Sequence, residues 1–141
     1  MPSAIGDVPF CDLLTLWPQV EPLVARALER DEAGRYQPRD ILRLLLDCRV
    51  KLWVSWNEES QSVEAMTITE TIDYPRLREL RIWLVGGRNM RAWVIKTRDA
   101  IEEFARATGC HVMTGGLRKG WLRIGGEGWV ETGITFEKRL T

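Results

Sequence analysis

The most constraining feature of the sequence is a strand-like run that ends at two adjacent glycines and leads directly into an amphipathic helix. Leu77–Val85 is rich in large apolar residues and predicts a strand, whereas Gly86 and Gly87 predict its end. Asn89 is a suitable N-cap, and apolar residues recur at helical spacing from there to Gly109. A strand, a glycine turn and a helix in succession restrict the chain to folds that combine helices with a sheet. The helical stripe consists of Met90, Trp93, Val94, Ile101, Phe104 and Ala105.

Two helices and a pair of antiparallel strands are predicted before this unit. Apolar residues recur at helical spacing over Pro18–Arg30, and again in the leucine-rich segment that Pro38 opens. The period changes to two over Val50–Trp56 and Val63–Ile72, which a polar turn separates. These two segments therefore predict a hairpin.

Two further strands are predicted after the long helix. Cys110–Thr114 predicts a short buried strand, and Val130–Leu140 alternates as a strand that closes the chain. Gly115–Gly128 is glycine-rich and has room for one helical turn. The predicted order is ααβββαβ(α)β, in an α/β (α+β) fold with a mixed sheet, because the helices are too few for a doubly wound sheet. With 141 residues and no linker, we expect a single domain over residues 1–141.

The charge balance argues against a strong global attraction to nucleic acid or to an anionic membrane. The 20 Lys and Arg residues are matched by 20 Asp and Glu residues, so nucleic-acid contact would need a local basic patch. We expect no membrane span, since no apolar stretch approaches the roughly 20 residues that one needs. The start of the sequence lacks a signal-peptide pattern. We expect the protein in the cytoplasm of the producing cell, or in a virion packaged from it.

A metal centre and a cysteine nucleophile are both disfavoured. The three cysteines, Cys11, Cys48 and Cys110, lack a CxxC spacing, and His111 is the only histidine. Cys110 and His111 are adjacent on a predicted strand, so their side chains point to opposite faces. We therefore expect no bound metal and no cysteine–histidine pair.

Short local sequences along most of the chain carry a family resemblance. They begin with Leu16–Pro18 and include Ile101–Cys110 (IEEFARATGC), which is the most telling stretch. Arg118–Trp121 is similar to a GRxGW segment, and Gly128 with Trp129 follows it. In this order the segments resemble the GNAT-like (acetyltransferase-like) proteins encoded by tailed phages and prophages, including internal virion protein A-like proteins. The resemblance implies a GNAT-like acyl-CoA N-acyltransferase fold. Shorter matches are Asp40, Ile41, Leu52–Val54, Thr67–Thr69, Tyr74, Pro75, Gly87 and Trp93.

The resemblance also implies an acetyl-CoA site where the third strand meets the long helix. In that family, backbone amides at the helix start hold the CoA pyrophosphate. The family's phosphate loop is Q/R-x-x-G-x-G/A, and here Arg91 and Trp93 stand at its two small-residue positions. Either ordinary CoA binding is lost, or Gly86 and Gly87 provide the turn while Arg88 and Arg91 hold the anion by charge. The corresponding residues are Val85, Gly86, Gly87, Arg88, Asn89, Met90 and Arg91.

Glu70 and Glu79 are the candidate catalytic bases, because acetyl transfer needs a group that accepts the amine proton. Both lie on predicted strands, where each could instead be solvated or paired with an arginine. The tyrosine that often serves as the acid in the family is replaced by Trp129, whose indole N–H cannot take that role.

Two functions compete on this basis. The first is a phage or prophage-encoded GNAT-like module that acts as a virion-associated or structural protein without efficient catalysis. It predicts contacts with other phage or virion proteins, or with a second copy of the chain, through exposed aromatic and basic side chains. The candidates are Trp17, Arg118, Lys119, Trp121 and Trp129.

The alternative is an active acetyl-CoA-dependent N-acetyltransferase. It requires a V-shaped split between the third and fourth predicted strands, free amides at the start of the long helix, and a cleft that neither Arg91 nor Trp93 fills. A nucleic-acid-binding accessory protein is a third hypothesis, which the zero net charge disfavours.

Overall fold

A five-stranded mixed sheet organises the chain in a computed structural model that describes residues 3–116 and 126–141. Neighbouring strands are antiparallel from the first to the fourth, and the fifth is parallel to the fourth. A parallel pair needs a crossover, which the long helix supplies. The mixed α/β class predicted from the sequence is confirmed. The strands, in both spatial and chain order, are β1 (Ser3–Asp7), β2 (Lys51–Asn57), β3 (Ser62–Asp73), β4 (Arg78–Gly87) and β5 (Val112–Gly115).

Helices cover both faces of the sheet. The second helix begins where the sequence predicts, because the Gln37 backbone N–H donates to the Asp40 carboxylate over 2.8 Å in a capping box. The first helix begins before the predicted start at Pro18, since Leu13 and Trp17 extend its buried stripe. The helices are α1 (Leu13–Asp31), which follows a 3-10 turn over Phe10–Asp12, α2 (Pro38–Leu46) and α3 (Met90–Ala107).

The sheet separates two apolar cores. Successive strand residues point to opposite faces, so Leu52 and Trp53 of β2 belong to different cores. Leu52 packs with α1 and α2, together with Leu84 of β4. Trp53 packs with α3, together with Leu80 and Ile82 of β4. β4 therefore carries side chains into both cores and forms the centre of the fold.

Two segments differ from the sequence-based prediction. Ser3–Asp7 forms β1, which the sequence pattern does not reveal because Ile5 is its only residue that favours strands. The strand predicted over Val130–Leu140 is wrong, since residues 126–141 contain neither helix nor strand. Alternation shows which side chains could share a face, but a strand forms only where a partner supplies hydrogen bonds, and no described strand pairs with this segment.

The helical turn predicted within Gly115–Gly128 falls mainly on residues 117–125, which lie outside the described residues. None of the described helices is long and apolar enough to cross a membrane.

Candidate active site

β5 pairs along its whole length with only the first part of β4, and in the described part of the chain β4 continues beyond the last pair. β5 pairs with residues 79–82 of β4, ending at Ile82 and Gly115. β4 continues to Gly87, so residues 83–87 have no β5 partner in the described part of the chain. In the described part of the chain, this edge of β4 therefore borders an opening, which Ile82 and Val85 line. The enzyme hypothesis requires a V-shaped split at this position, between the third and fourth predicted strands.

A β-bulge in β4 sets which side chains face the opening. Consecutive residues of β3 pair with Leu84 and Ile82, so Trp83 is an extra residue between them. Trp83 and Leu84 both face the core under α1, whereas Ile82 and Val85 face α3. The bulge thus directs two apolar side chains, those of Ile82 and Val85, toward the opening.

A cavity of about 470 Å³ occupies the opening. Its volume lies within the range of roughly 300–1,000 Å³ that is usual for small-molecule sites. Residues 129–133 of the C-terminal segment form part of the cavity wall, together with residues of α3. Arg81 and Thr114, on the α1 side of the sheet, also line the cavity, so it reaches both faces. From the α3 side its lining includes Thr67, Ile82, Val85, Trp93, Thr97 and Ile101.

The turn between β4 and α3 is built around Gly87. Its φ is +147°, and a Cβ at this position would lie 2.5 Å from Ala65 Cα, so no other residue fits unless β3 moves. The Arg88 N–H donates to the Glu64 carbonyl over 3.0 Å. The Asn89 side-chain amide donates to the Glu64 carboxylate over 2.8 Å. These contacts tie the turn to β3 and fix the start of α3 at the cleft.

Arg91 and Trp93 stand where the family's phosphate loop has small residues, but neither side chain fills the cleft. The Trp93 side chain is 1% exposed and forms part of the cavity wall. Its indole N–H donates to the Arg88 carbonyl. Arg91 is exposed to solvent. No side chain of Asn89 caps the first amides of α3, so this helix end and the two arginines form a positive region beside the cavity.

The other residues predicted at the cofactor site divide between cavity and core. Val85 lines the cavity. Gly86 provides close packing, because a Cβ there would lie 3.2 Å from the Leu23 carbonyl oxygen of α1. Met90 is half-buried against the core under α3. The structure thus brings the predicted residues to one turn, but among them only Val85 lines the cavity.

Glu70 and Glu79 lie on one face of the sheet, at the α1-side end of the cavity. Glu70 pairs across the strands with Arg81, and Glu79 precedes Arg81 by two residues on β4. The Glu79 carboxylate accepts a hydrogen bond of 2.8 Å from the Thr114 hydroxyl. The Glu70 carboxylate lies 3.6 Å from the Arg81 Nε. Both glutamates are half-buried, and each contacts a residue that lines the cavity.

Arg81 is a site residue that the sequence reasoning missed. Its guanidinium lies 5.0 Å from the centre of the Trp83 ring, and it lines the cavity. The sequence feature that could have revealed Arg81 is a single charged residue within the otherwise apolar run Leu80–Val85. A charged side chain inside such a strand needs a partner, and here Glu70 is the nearest one.

The loop between α1 and α2 lies beside the same end of the cavity. The Trp83 indole N–H donates to the Glu32 carboxylate over 3.0 Å. The Tyr36 ring contacts the Trp83 ring edge-on, with 4.9 Å between ring centres. Trp83 therefore connects this loop to β4 and to Arg81.

One ion pair connects the C-terminal segment to the same loop. The Arg35 guanidinium donates to the Glu137 carboxylate. The hydrogen bond first, and the charge of Arg35 second, lower the pKa of Glu137 and raise the pKa of Arg35. The segment therefore runs from the cavity wall at residues 129–133 to the α1–α2 loop.

The structure describes two of the five residues that the sequence predicts to mediate interactions. Trp17 is buried at 7% exposure, and its indole N–H donates to Glu21; the expectation that it is exposed is wrong, because it completes the apolar stripe of α1. Trp129 is half-buried and lines the cavity. Arg118, Lys119 and Trp121 lie outside the described residues.

Solved acetyltransferase structures match this architecture along nearly the whole chain. A GNAT family acetyltransferase of Staphylococcus aureus matches with a TM-score of 0.69 and 14% identity, over 99% of this chain and 100% of that one. A ribosomal-protein-alanine N-acetyltransferase of Brucella melitensis biovar Abortus matches with a TM-score of 0.73 and 11% identity, over 99% of each chain. The chain has the GNAT acyltransferase fold. An aminoglycoside acetyltransferase from a soil metagenome, in complex with sisomicin, shares this GNAT fold, with a TM-score of 0.73 and 15% identity over 99% of this chain and 97% of that one.

The GNAT fold expected from the sequence resemblance is thus confirmed. The identities are low, so the likeness concerns the fold alone. No protein-family model and no curated protein sequence matches the chain. An origin in a phage or prophage, which the resemblance also implied, stays a prediction.

Proposed function

We propose that the protein is an acetyl-CoA-dependent N-acetyltransferase. The observation that carries the proposal is the open cavity between β4 and β5. Trp93 and Val94 of α3 line it, and so do Arg81 and Thr114, which contact the Glu70 and Glu79 carboxylates. Proteins with the same fold that are named as acetyltransferases of ribosomal-protein alanine and of aminoglycosides support this class of reaction. Because one fold hosts many functions, the argument depends on the residues of the cavity.

The turn before α3 fits the phosphate end of coenzyme A. Gly87 keeps the backbone free of a side chain, the first amides of α3 lack a side-chain cap, and Arg88 and Arg91 are exposed beside them. A helix N-terminus with two adjacent cations favours a pyrophosphate. The bulk of Trp93 does not block pyrophosphate binding at this turn, since its ring is buried in the cavity wall.

The open edge of β4 fits the remainder of the cofactor. Residues 83–87 have no β5 partner in the described part of the chain, so their edge-facing amide and carbonyl groups can bond a ligand that carries amides. Ile82 and Val85 provide an apolar surface beside them. When bound, acetyl-CoA supplies an activated acyl thioester.

Glu70 and Glu79 are placed to accept a proton from the acceptor amine. An ammonium group cannot attack an acyl carbon, so the amine must lose a proton first. The acceptor enters from the α1 side, where Glu79 reaches the cavity lining through the Thr114 hydroxyl and Glu70 adjoins Arg81. Either carboxylate acts on the amine directly or through a water molecule.

The test is release of free thiol from acetyl-CoA in the presence of a panel of primary amines. The wild-type protein should release thiol with at least one amine. Glu70→Gln or Glu79→Gln should lower kcat by roughly 10²–10⁴-fold, the usual contribution of a general base. Glu103→Gln, an exposed α3 carboxylate, is the matched control and should react normally. Wild-type rates in both glutamine variants would exclude these residues as bases.

A second candidate function is a protein-interaction module, phage-encoded and virion-associated. The exposed apolar side chains of the C-terminal segment favour it, since Val130, Ile134, Phe136 and Leu140 are 74–88% exposed. This candidate predicts no acetyl-CoA binding, and a stable assembly with virion proteins or with a second copy that Phe136→Asp disrupts. Sedimentation of the purified protein alone and with virion proteins would decide the point. For either function we propose a cytoplasmic location in the producing cell, with the virion as the final location of the second.

A further inference from the structure

We propose that Arg81 binds a carboxylate of the acceptor, and that the acceptor is an amino-acid-like molecule that carries both an amine and a carboxylate. The inference rests on the proposed acetyl transfer and specifies its substrate class. It starts from a charged side chain that lines the cavity and is only partly matched by its neighbours.

The Arg81 guanidinium is held in place but lacks good hydrogen bonds. Its guanidinium carbon lies over the Trp83 ring, 5.0 Å from the ring centre, and its side chain is 38% exposed. Its Nε is buried and has no hydrogen-bond partner among residues 3–116 and 126–141. The nearest carboxylate oxygen, that of Glu70, is 3.6 Å away and beyond hydrogen-bond range. Because the Nε is buried, the exposed part of this side chain is the terminal end of the guanidinium, whose two Nη atoms can bind a carboxylate through two parallel hydrogen bonds.

The position of Arg81 places the acceptor carboxylate at the end of the cavity beside Glu70 and Glu79, the proposed bases. Arg81 pairs with Thr114 of β5, and the next pair, Ile82 with Gly115, is the last between these strands in residues 3–116 and 126–141. Arg81 and Thr114 both line the cavity. An acceptor held by Arg81 therefore lies where the α1 side of the sheet meets the opening.

The charges around Arg81 select a zwitterion. The Arg81 guanidinium shares its face of the sheet with Glu70, its cross-strand partner, and with Glu79, two residues before it on β4. An acceptor with an amine but no acidic group would leave the Arg81 guanidinium without an anion. An acceptor with a phosphate would be repelled by the Glu70 and Glu79 carboxylates. An amino acid matches both signs, because its carboxylate pairs with Arg81 and its ammonium lies against a glutamate that can take its proton.

The experiment compares L-amino acids with their carboxamides as acceptors in the thiol-release assay, at equal concentrations of unprotonated amine. Wild-type kcat/KM should favour the acids by about 10- to 100-fold, the ratio that corresponds to a hydrogen bond to a charged group. Arg81→Gln should abolish the preference, and Arg81→Lys should retain part of it. Arg106→Gln, at the far end of α3, is the control and should keep the wild-type ratio.

Two outcomes separate this inference from the proposed function. If acetyl-CoA is consumed but acids and carboxamides react alike, the carboxylate site is refuted while transfer stands. A second assay therefore measures binding of the amino acids and carboxamides by ligand-observed NMR without CoA. Selective binding of the acids that Arg81→Gln abolishes, without any thiol release, would refute transfer and support the Arg81 site. Equal binding of both series to wild-type protein would also overturn the inference.

Discussion

Replacing Gly87 with alanine should destabilise the protein more than the same change at any other glycine for which the structure gives the surroundings. The φ of +147° is a conformation that L residues rarely adopt, which costs about 1–3 kcal/mol. The new methyl group would also lie 2.5 Å from Ala65 Cα and from the Glu64 carbonyl oxygen, and such overpacking costs about 1–3 kcal/mol more. We therefore expect a loss of about 2–6 kcal/mol.

Two other glycines separate these contributions. Gly109 has a φ of +80° and open space around it, so Gly109→Ala should cost only the backbone strain of about 1–2 kcal/mol. Gly6 has open space and no positive φ, so Gly6→Ala should change stability by less than about 0.5 kcal/mol. Urea unfolding followed by tryptophan fluorescence measures all three. If Gly87→Ala costs no more than Gly109→Ala, the contact between the turn and β3 is not tight and the reasoning fails.

Two further predictions concern the cavity wall and the C-terminal segment. Trp93→Ala should lower the free energy of unfolding by about 3–5 kcal/mol, because a fully buried indole is lost; a loss under about 1 kcal/mol in urea unfolding would mean that the ring is not packed. The pKa of Glu137 is below its ordinary value of 4.5 because of Arg35, so their ion pair is complete above pH 4.5 and is lost as the pH falls through the lowered pKa. Protection of residues 130–140 against hydrogen exchange, expressed relative to the intrinsic exchange rate at each pH, should therefore fall at acid pH in the wild type, and should be low and independent of this titration in Glu137→Gln; protection that persists in that variant would contradict the role of the ion pair.

The strand–turn–helix unit can be predicted from the sequence because its signals are local. The apolar run of β4, the glycines at 86 and 87, and the stripe of α3 each act within a few residues. The structure gives β4 as Arg78–Gly87 and α3 as Met90–Ala107, close to the predicted bounds. The positions of Val85 and Arg88 at the cleft follow from this unit.

Features that depend on how distant strands align cannot be read in this way. The bulge at Trp83 and the approach of Arg81 to Glu70 depend on the register of β3 on β4. The burial of Trp93 depends on a hydrogen bond to the Arg88 carbonyl, which its bulk alone does not indicate. Likewise, the alternation in Val130–Leu140 does not reveal that no described strand pairs with it.

Isothermal titration of the protein with acetyl-CoA tests the central claim, that the opening between β4 and β5 is a cofactor site. Three proteins are compared: the wild type, the double variant Arg88→Ala with Arg91→Ala, and Lys96→Ala as a matched removal of an exposed cation from α3. The account predicts micromolar binding by the wild type and by Lys96→Ala, and at least about tenfold weaker binding by the double variant. Absence of heat from the wild type at millimolar acetyl-CoA would contradict the account.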